Sequence, residues 1–157
     1  MTLSKPYEME KIVTLQDTNA MGNVYFAAFV LWQGECRERC LMQYAPQLQD
    51  ELRNGLALVT ASCSCEYLDD LRLLDLVLVR LVFGPVRLNT VELIFEYHRR
   101  SPDGDKLVAR GRQVIAVMRH RSGEHGGELA PAAWPRWFLA FAAEFDIDLR
   151  RAHVALG

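Results

Sequence analysis

Hydrophobic and polar positions change their period along the chain. Residues 7–15 form a short, moderately apolar run that predicts a first strand, and a polar, turn-prone stretch from Gln16 to Asn23 follows it. Phe26, Phe29, Val30, Gln33, Arg37, Cys40, Leu41 and Tyr44 then recur at helical spacing, which predicts one long helix over Val24 to Tyr44. Pro46 fits a helix stop just before it, because proline disfavours the helical conformation of its predecessor. From Leu56 the period becomes two. Leu56, Leu58, Thr60, Ser62 and Ser64 fall on one face, and Cys63, Cys65 and Tyr67 on the other. Residues 73–83 are almost continuously apolar, interrupted by Arg80 and ended by Gly84-Pro85. Val91, Leu93, Phe95 and Tyr97 alternate with Thr90, Glu92, Glu96 and His98, a half-buried strand. The turn signal at residues 101–104 joins it as a hairpin to a further strand over 107–118. After a Gly-rich stretch at 122–128, Pro135, Trp137, Phe138, Phe141 and Phe145 return to helical spacing, with Pro135 suited to a first turn.

The sum is an α+β chain: a strand, a long helix, four antiparallel strands and a C-terminal helix. One helix with an apolar stripe must lie against a sheet, and an antiparallel sheet with one covered face accepts it. The expected domain is single, residues 1–157, with a core over about 5–121 and the extra helix over about 134–146. The apolar run at 73–83 has no polar face, so oligomerisation through that sheet, or its continuation across a dimer, is expected to cover it.

Composition narrows the class. Half of the 157 residues are apolar, 24% are charged and the net charge is -2, which excludes disordered classes and a general nucleic-acid binder. Residues 96–121 carry 7 basic against 3 acidic side chains, a possible positive face toward an anionic partner or simply solvated strand faces. Cys36, Cys40, Cys63 and Cys65 are spaced wrongly for a zinc knuckle and read as small hydrophobes of a reducing, cytoplasmic setting. A leader peptide and a membrane span are not expected, and a membrane-surface role for the segment 134–145 is the weaker alternative to its burial.

Catalytic motifs are scarce. There is no G-x-S-x-G, H-E-x-x-H, phosphate-binding loop or dinucleotide fingerprint. His98, His120, His125 and His153 all fall late in the chain, so a histidine-based triad has no anchor in the helix or its approach. The odd features cluster at 17–37. Asp17-Thr18-Asn19-Ala20-Met21-Gly22-Asn23 runs straight into the helix, whose first N–H groups lack intrahelical partners and favour negative charge. Gly22 allows close approach to the backbone; the bland reading is an N-cap and turn. Arg37 lies in line with the apolar stripe, so its guanidinium must be paired, as in an intersubunit salt bridge, or must face a pocket.

The run DTNAMGNVYFAAFVLWQGECRE at residues 17–38 resembles the opening signature of the hotdog-fold acyl thioesterases. It is most similar to the thioesterases of enediyne polyketide biosynthesis, and the resemblance extends over nearly the full chain. It implies a curved antiparallel sheet of about five strands wrapped round a central helix, dimers with a continuous sheet, further assembly into homotetramers, and active sites at the dimer interface. It implies no cofactor and no metal. Where typical bacterial members carry a catalytic aspartate, this chain has Asn19. Where a related group carries a glutamate on the helix, it has about Gly34, and a frequent histidine is Phe26 here.

The resemblance therefore implies hydrolysis without a carboxylate. Asn19 would donate to the thioester carbonyl or position water, Arg37 would stabilise the oxyanion or a released beta-keto carboxylate, and Thr60 would orient water or the acyl oxygen. Gly22 and Asn23 would add backbone donors, and Tyr25, Phe26, Phe29 and Trp32 would line a channel for a flat chain. The implied task is release of a beta-ketoacyl polyene from the carrier domain of an iterative polyketide synthase, with loss of carbon dioxide. The alternatives are an acyl-CoA thioesterase of the same fold and a non-catalytic acyl- or polyene-binding protein.

Overall fold

In the computed structural model, which describes residues 4–121 and 127–155, β1 (Tyr7–Ile12) and a single 3-10 turn (Leu15–Asp17) lead into the long helix α1 (Phe26–Tyr44). A short helix α2 (Leu48–Arg53) follows, then β2 (Leu56–Tyr67), β3 (Leu76–Leu88), β4 (Thr90–Arg99) and β5 (Lys106–His120). The chain closes with β6 (Leu129–Pro131), α3 (Phe138–Glu144) and β7 (Arg151–Ala152). The five long strands are ordered β1-β3-β4-β5-β2, with β6 on β5 and β7 on β3. This is the α+β hotdog arrangement.

Helix α1 buries Ala28, Phe29, Trp32, Gln33, Cys36 and Cys40 against the sheet. The expected stripe is thus rotated: Phe26 and Val30 are exposed, while Trp32 and Cys36 take the inner face. Tyr97 on β4 fixes the helix, its hydroxyl donating to the Phe29 carbonyl at 2.6 Å. The sheet side of the core is Val77, Val79, Leu81 and Phe83 from β3 with Val91, Leu93, Phe95 and Tyr97 from β4. Apolar burial of this kind is the main favourable contribution to folding.

Strand β3 departs from expectation twice. It does not end at Gly84-Pro85; a register irregularity between Phe83 and Val86 takes these residues through the sheet, and pairing resumes at Val86. It is also interior, flanked by β1 and β4, and the two edges of the five-strand order are β1 and β2. Its outer positions meet charged neighbours, as where Arg80 pairs with Glu8, and the continuous apolar run reflects a central position.

A second irregularity, in β2, decides the site. Thr60 pairs with Ile115 and Ser62 with Val114, so Ala61 is an extra residue. The bulge reverses the alternation, and Thr60 and Cys63, placed on opposite faces by a strict period of two, both bond side chains of α1. Beside the β2 edge, α1 exposes Phe26 (59%) and Val30 (38%), and the Phe26 carbonyl accepts from the Tyr67 hydroxyl of β2 at 2.8 Å.

The C-terminal segment is core. Trp134 stacks on Phe138, Phe141 meets Phe83, and Phe145 meets Tyr44, these four of the segment's five aromatics being nearly inaccessible and Trp137 half-buried. The helical part is shorter than the expected 134–146, and burial leaves no apolar stripe there for a membrane surface. No helix among the described residues is long and apolar enough to cross a membrane. Of the Gly-rich stretch, residues 122–126, with His125, lie outside the described residues.

Candidate active site

The loop before α1 is held mainly by its own backbone. The Asp17 carboxylate accepts from the Thr14 N–H and hydroxyl, both at 2.8 Å, while the Asp17 carbonyl accepts from the Tyr25 N–H. Within this frame Asn19 N–H donates to the Asn23 carbonyl and Gly22 N–H to the Asn19 carbonyl, each at 3.0 Å. Gly22 has φ 80, a conformation that favours glycine. The Asn19 side-chain oxygen accepts from Met21 N–H at 2.8 Å. That Asx-type turn commits the oxygen and leaves the Nδ2 hydrogens without an acceptor among the described residues.

Asn19 lines a cleft of about 210 Å³ with Phe26, Phe29 and Tyr67. Asn23 borders it too, its Nδ2 donating to Asp70 at 3.2 Å. Of the backbone donors expected from Gly22 and Asn23, Gly22 N–H closes the turn, whereas the bridge of Asn23 to Arg72 is made by Val24 N–H donating to the Leu71 carbonyl at 2.8 Å and does not engage the Asn23 N–H. Tyr25 packs on Phe26 at the rim, whereas Trp32 is a core residue against Phe29 and Tyr97.

Arg37 sits elsewhere on the helix. Three turns, about 16 Å along the axis, separate it from Phe26, so one chain does not bring Asn19 and Arg37 together. Arg37 Nη1 donates to Thr60 Oγ1 at 3.1 Å and to Gln113 Oε1 at 3.0 Å. Both acceptors are neutral, and among the described residues no carboxylate is in ion-pair contact with it. Nearby Glu35 is engaged by Lys11 and Arg39, both at 2.7 Å; the Lys11 ammonium is foremost in holding its carboxyl below the ordinary range. With Nη1 committed, the Nε–Nη2 edge of Arg37 remains, the edge that grips a carboxylate or oxyanion bidentately.

Arg37 also borders a groove of about 360 Å³ walled by Leu41, Leu52 and Leu58, and a small apolar crevice that reaches Phe138 and Phe141. A retained positive charge at the mouth of an apolar groove suits an acyl chain ending in a polarised carbonyl.

Sequence reasoning found Arg37 and Thr60 but missed Gln113. The available signal was its inward phase on β5, where Gly111, Gln113, Ile115 and Val117 alternate and only Gln113 is polar and buried. The cysteines do not form a metal site: among the described residues no His, Cys, Asp and Glu group could hold an ion. Burial pushes the Cys36 and Cys40 thiols up to about 12, the behaviour of small hydrophobes. The basic stretch after residue 96 is largely spent in ion pairs, as in Arg99–Asp69, Arg100–Glu10, Lys106–Asp69 and Arg112–Glu92.

Residues 13–142 match the family model of the thioesterase-like superfamily, and the chain belongs to that superfamily of hotdog-fold thioester hydrolases. Among solved structures it is similar to the dynemicin thioesterase, an enediyne thioesterase whose crystal structures reveal induced-fit and allosteric effects upon polyene binding. The TM-score is 0.80 and the identity 34%, over 90% of this chain and 97% of that one. A 1,4-dihydroxy-2-naphthoyl-CoA hydrolase of Prochlorococcus marinus is 28% identical over 131 residues, 77% of either chain. A 1,4-dihydroxy-2-naphthoyl-CoA thioesterase from Synechocystis shares the fold, with a TM-score of 0.75 at 21% identity over 90% of this chain and 98% of that one. The chain is thus a hotdog-fold thioesterase acting on an acyl or aroyl thioester.

Proposed function

We propose that the chain hydrolyses its thioester without a catalytic carboxylate, using Arg37 and Asn19 to stabilise charge that develops on the substrate. The observation that supports this is the guanidinium of Arg37, held by two neutral acceptors with its Nε–Nη2 edge unspent. Water attacks the thioester carbonyl carbon, and the tetrahedral oxyanion is met by Arg37 and by the Asn19 Nδ2 donor. Its collapse breaks the C–S bond, the proton given up by the attacking water passing to the sulfur so that acid and thiol are released. Thr60 acts by holding Arg37, and the groove past Leu41 and Leu58 takes the acyl chain. Because Asn19 and Arg37 lie three helical turns apart, the reaction site forms between two copies, Asn19 of one facing Arg37 of the other. The exposed β2 edge and the apolar flank of α1 at Phe26 and Val30 are the surface that supports such pairing, and a further pairing of dimers gives the tetramer.

Two substrates fit this site. Hydrolysis of an acyl- or aroyl-CoA thioester has the broader support, from the naphthoyl-CoA hydrolase relative. The narrower reading is a beta-ketoacyl polyene on the carrier domain of an iterative polyketide synthase, supported by the 34% identity to the dynemicin thioesterase. There Arg37 would also hold the released beta-keto carboxylate until carbon dioxide is lost to leave a methyl ketone. A cytoplasmic setting suits either substrate. The test is a competition assay in which carrier-bound polyene and the matching CoA thioester are offered together and products are read by mass spectrometry. Preference for the carrier supports the narrower reading, equal or better use of CoA supports the broader one, and binding without cleavage of either refutes hydrolysis.

A further inference from the structure

The geometry points to Gln113, oriented by Gln33, as the positioning residue that aims the Arg37 guanidinium. The inference rests on the proposed role of Arg37. Gln33 is fully buried and Gln113 is 4% exposed, which is costly for two amides unless their hydrogen bonds are met. They are met in a single directed series. Gln33 Nε2 donates to the Ser64 carbonyl at 3.0 Å. A backbone carbonyl can only accept, so this bond fixes which way the Gln33 amide faces. Gln33 Oε1 must then accept, and it does, from Gln113 Nε2 at 3.0 Å and from the Cys63 thiol at 3.3 Å. With its nitrogen committed, Gln113 turns Oε1 toward Arg37 Nη1 at 3.0 Å. Reversing either amide would set donor against donor or acceptor against acceptor, so the backbone of β2 dictates the orientation of a side chain on the far side of two glutamines.

Gly111 completes the device. A Cβ there would lie 2.2 Å from Gln33 Nε2 and 2.8 Å from its Cδ, so the amide occupies the space a side chain would need. The β2 bulge at Ala61 adds the rest by bringing Thr60 and Cys63 to the same side. Arg37 is thereby held by two acceptors on Nη1, and its other edge is presented to substrate with little reorganisation left at the moment of reaction.

The test uses three variants in the full chain. Gln113→Met removes the acceptor at similar volume, and Gly111→Ala displaces the Gln33 amide without altering either glutamine. Gln113→Glu reproduces the series only when protonated, since the carboxyl then donates to Gln33 and accepts from Arg37. The groups bonded around that position are Arg37 and Gln33 from α1 and, through them, Thr60 and Cys63 from β2. Gln113→Met and Gly111→Ala should lower kcat about tenfold with KM within twofold. Gln113→Glu should approach wild-type turnover at low pH and lose it as pH rises, relative to the wild-type profile. An independent reading needs no turnover. In 15N-edited spectra the Arg37 Nη signals, assigned by their loss in Arg37→Lys, should be resolved in the wild type and collapse in Gln113→Met and Gly111→Ala. Unchanged guanidinium signals in the folded variants would overturn the inference. If Arg37→Ala leaves hydrolysis intact, the proposed role of Arg37 fails instead, and the spectra still decide whether Gln113 orients it.

Discussion

The molecule holds its two polar constellations in different ways. The Asn19 loop is a local device, closed by backbone bonds within residues 14–25, and the open Asn19 Nδ2 donor follows from an Asx turn. The Arg37 constellation is a tertiary device, drawing on α1, β2 and β5 and crossing 23 and 76 residues of sequence to reach Thr60 and Gln113. A local turn tolerates change at neighbouring positions as long as its backbone closes. A tertiary cluster of buried amides fails when any one member is replaced, because the remaining groups are left unpaired in a low dielectric.

That contrast sets the order of expected effects. Arg37→Ala should cost at least tenfold in turnover, about 1.4 kcal/mol or more of transition-state stabilisation, measured as kcat/KM on any accepted thioester. Near wild-type turnover in the folded variant would end its assigned role. Asn19→Asp should cost about fivefold, or ~1 kcal/mol, with an unchanged Tm. The introduced carboxylate still accepts from Met21 N–H, so the turn persists while the donor is lost; an unchanged rate would mean that Asn19 does not meet the substrate. Thr60→Val should cost about threefold, since Gln113 still holds Arg37, and a loss as large as that of Arg37→Ala would make Thr60 a direct participant. His98→Ala should stay within twofold. His98 meets Glu96 at 3.1 Å on the sheet, and a large loss there would overturn a mechanism without histidine.

The local device was also the legible one. Asp17 to Asn23 reads as a turn before a helix from residue types alone, and the long helix and the hairpin at 101–104 follow from periodicity and turn chemistry. The tertiary device was legible at one end only. Arg37 stands out as a charge in an apolar stripe, but its partner Gln113 is identified by burial, which strand phase hints at and pairing decides. The β2 face was misread at Thr60 and Cys63 because a bulge adds a residue where no proline or glycine marks it. The helix stripe was misplaced by part of a turn because α1 carries apolar residues on two sides, Trp32 toward the sheet and Leu31 away from it. Helix α2 was missed because six residues between Pro46 and Gly55 are too few to show a period.

The most direct test of a site shared between two copies is complementation between chains. Asn19→Asp and Arg37→Ala proteins, each impaired alone, would be unfolded together, refolded as a mixture and assayed for thioester hydrolysis. Random pairing makes half of the dimers mixed, each with one intact site. With the residual activity of the two parent variants included, the refolded mixture should reach about a third of wild type, about twice that of the same two proteins mixed without refolding. Activity no higher than that of the separate variants, in a mixture shown to contain mixed dimers, would contradict the account and return both residues to a site within one chain.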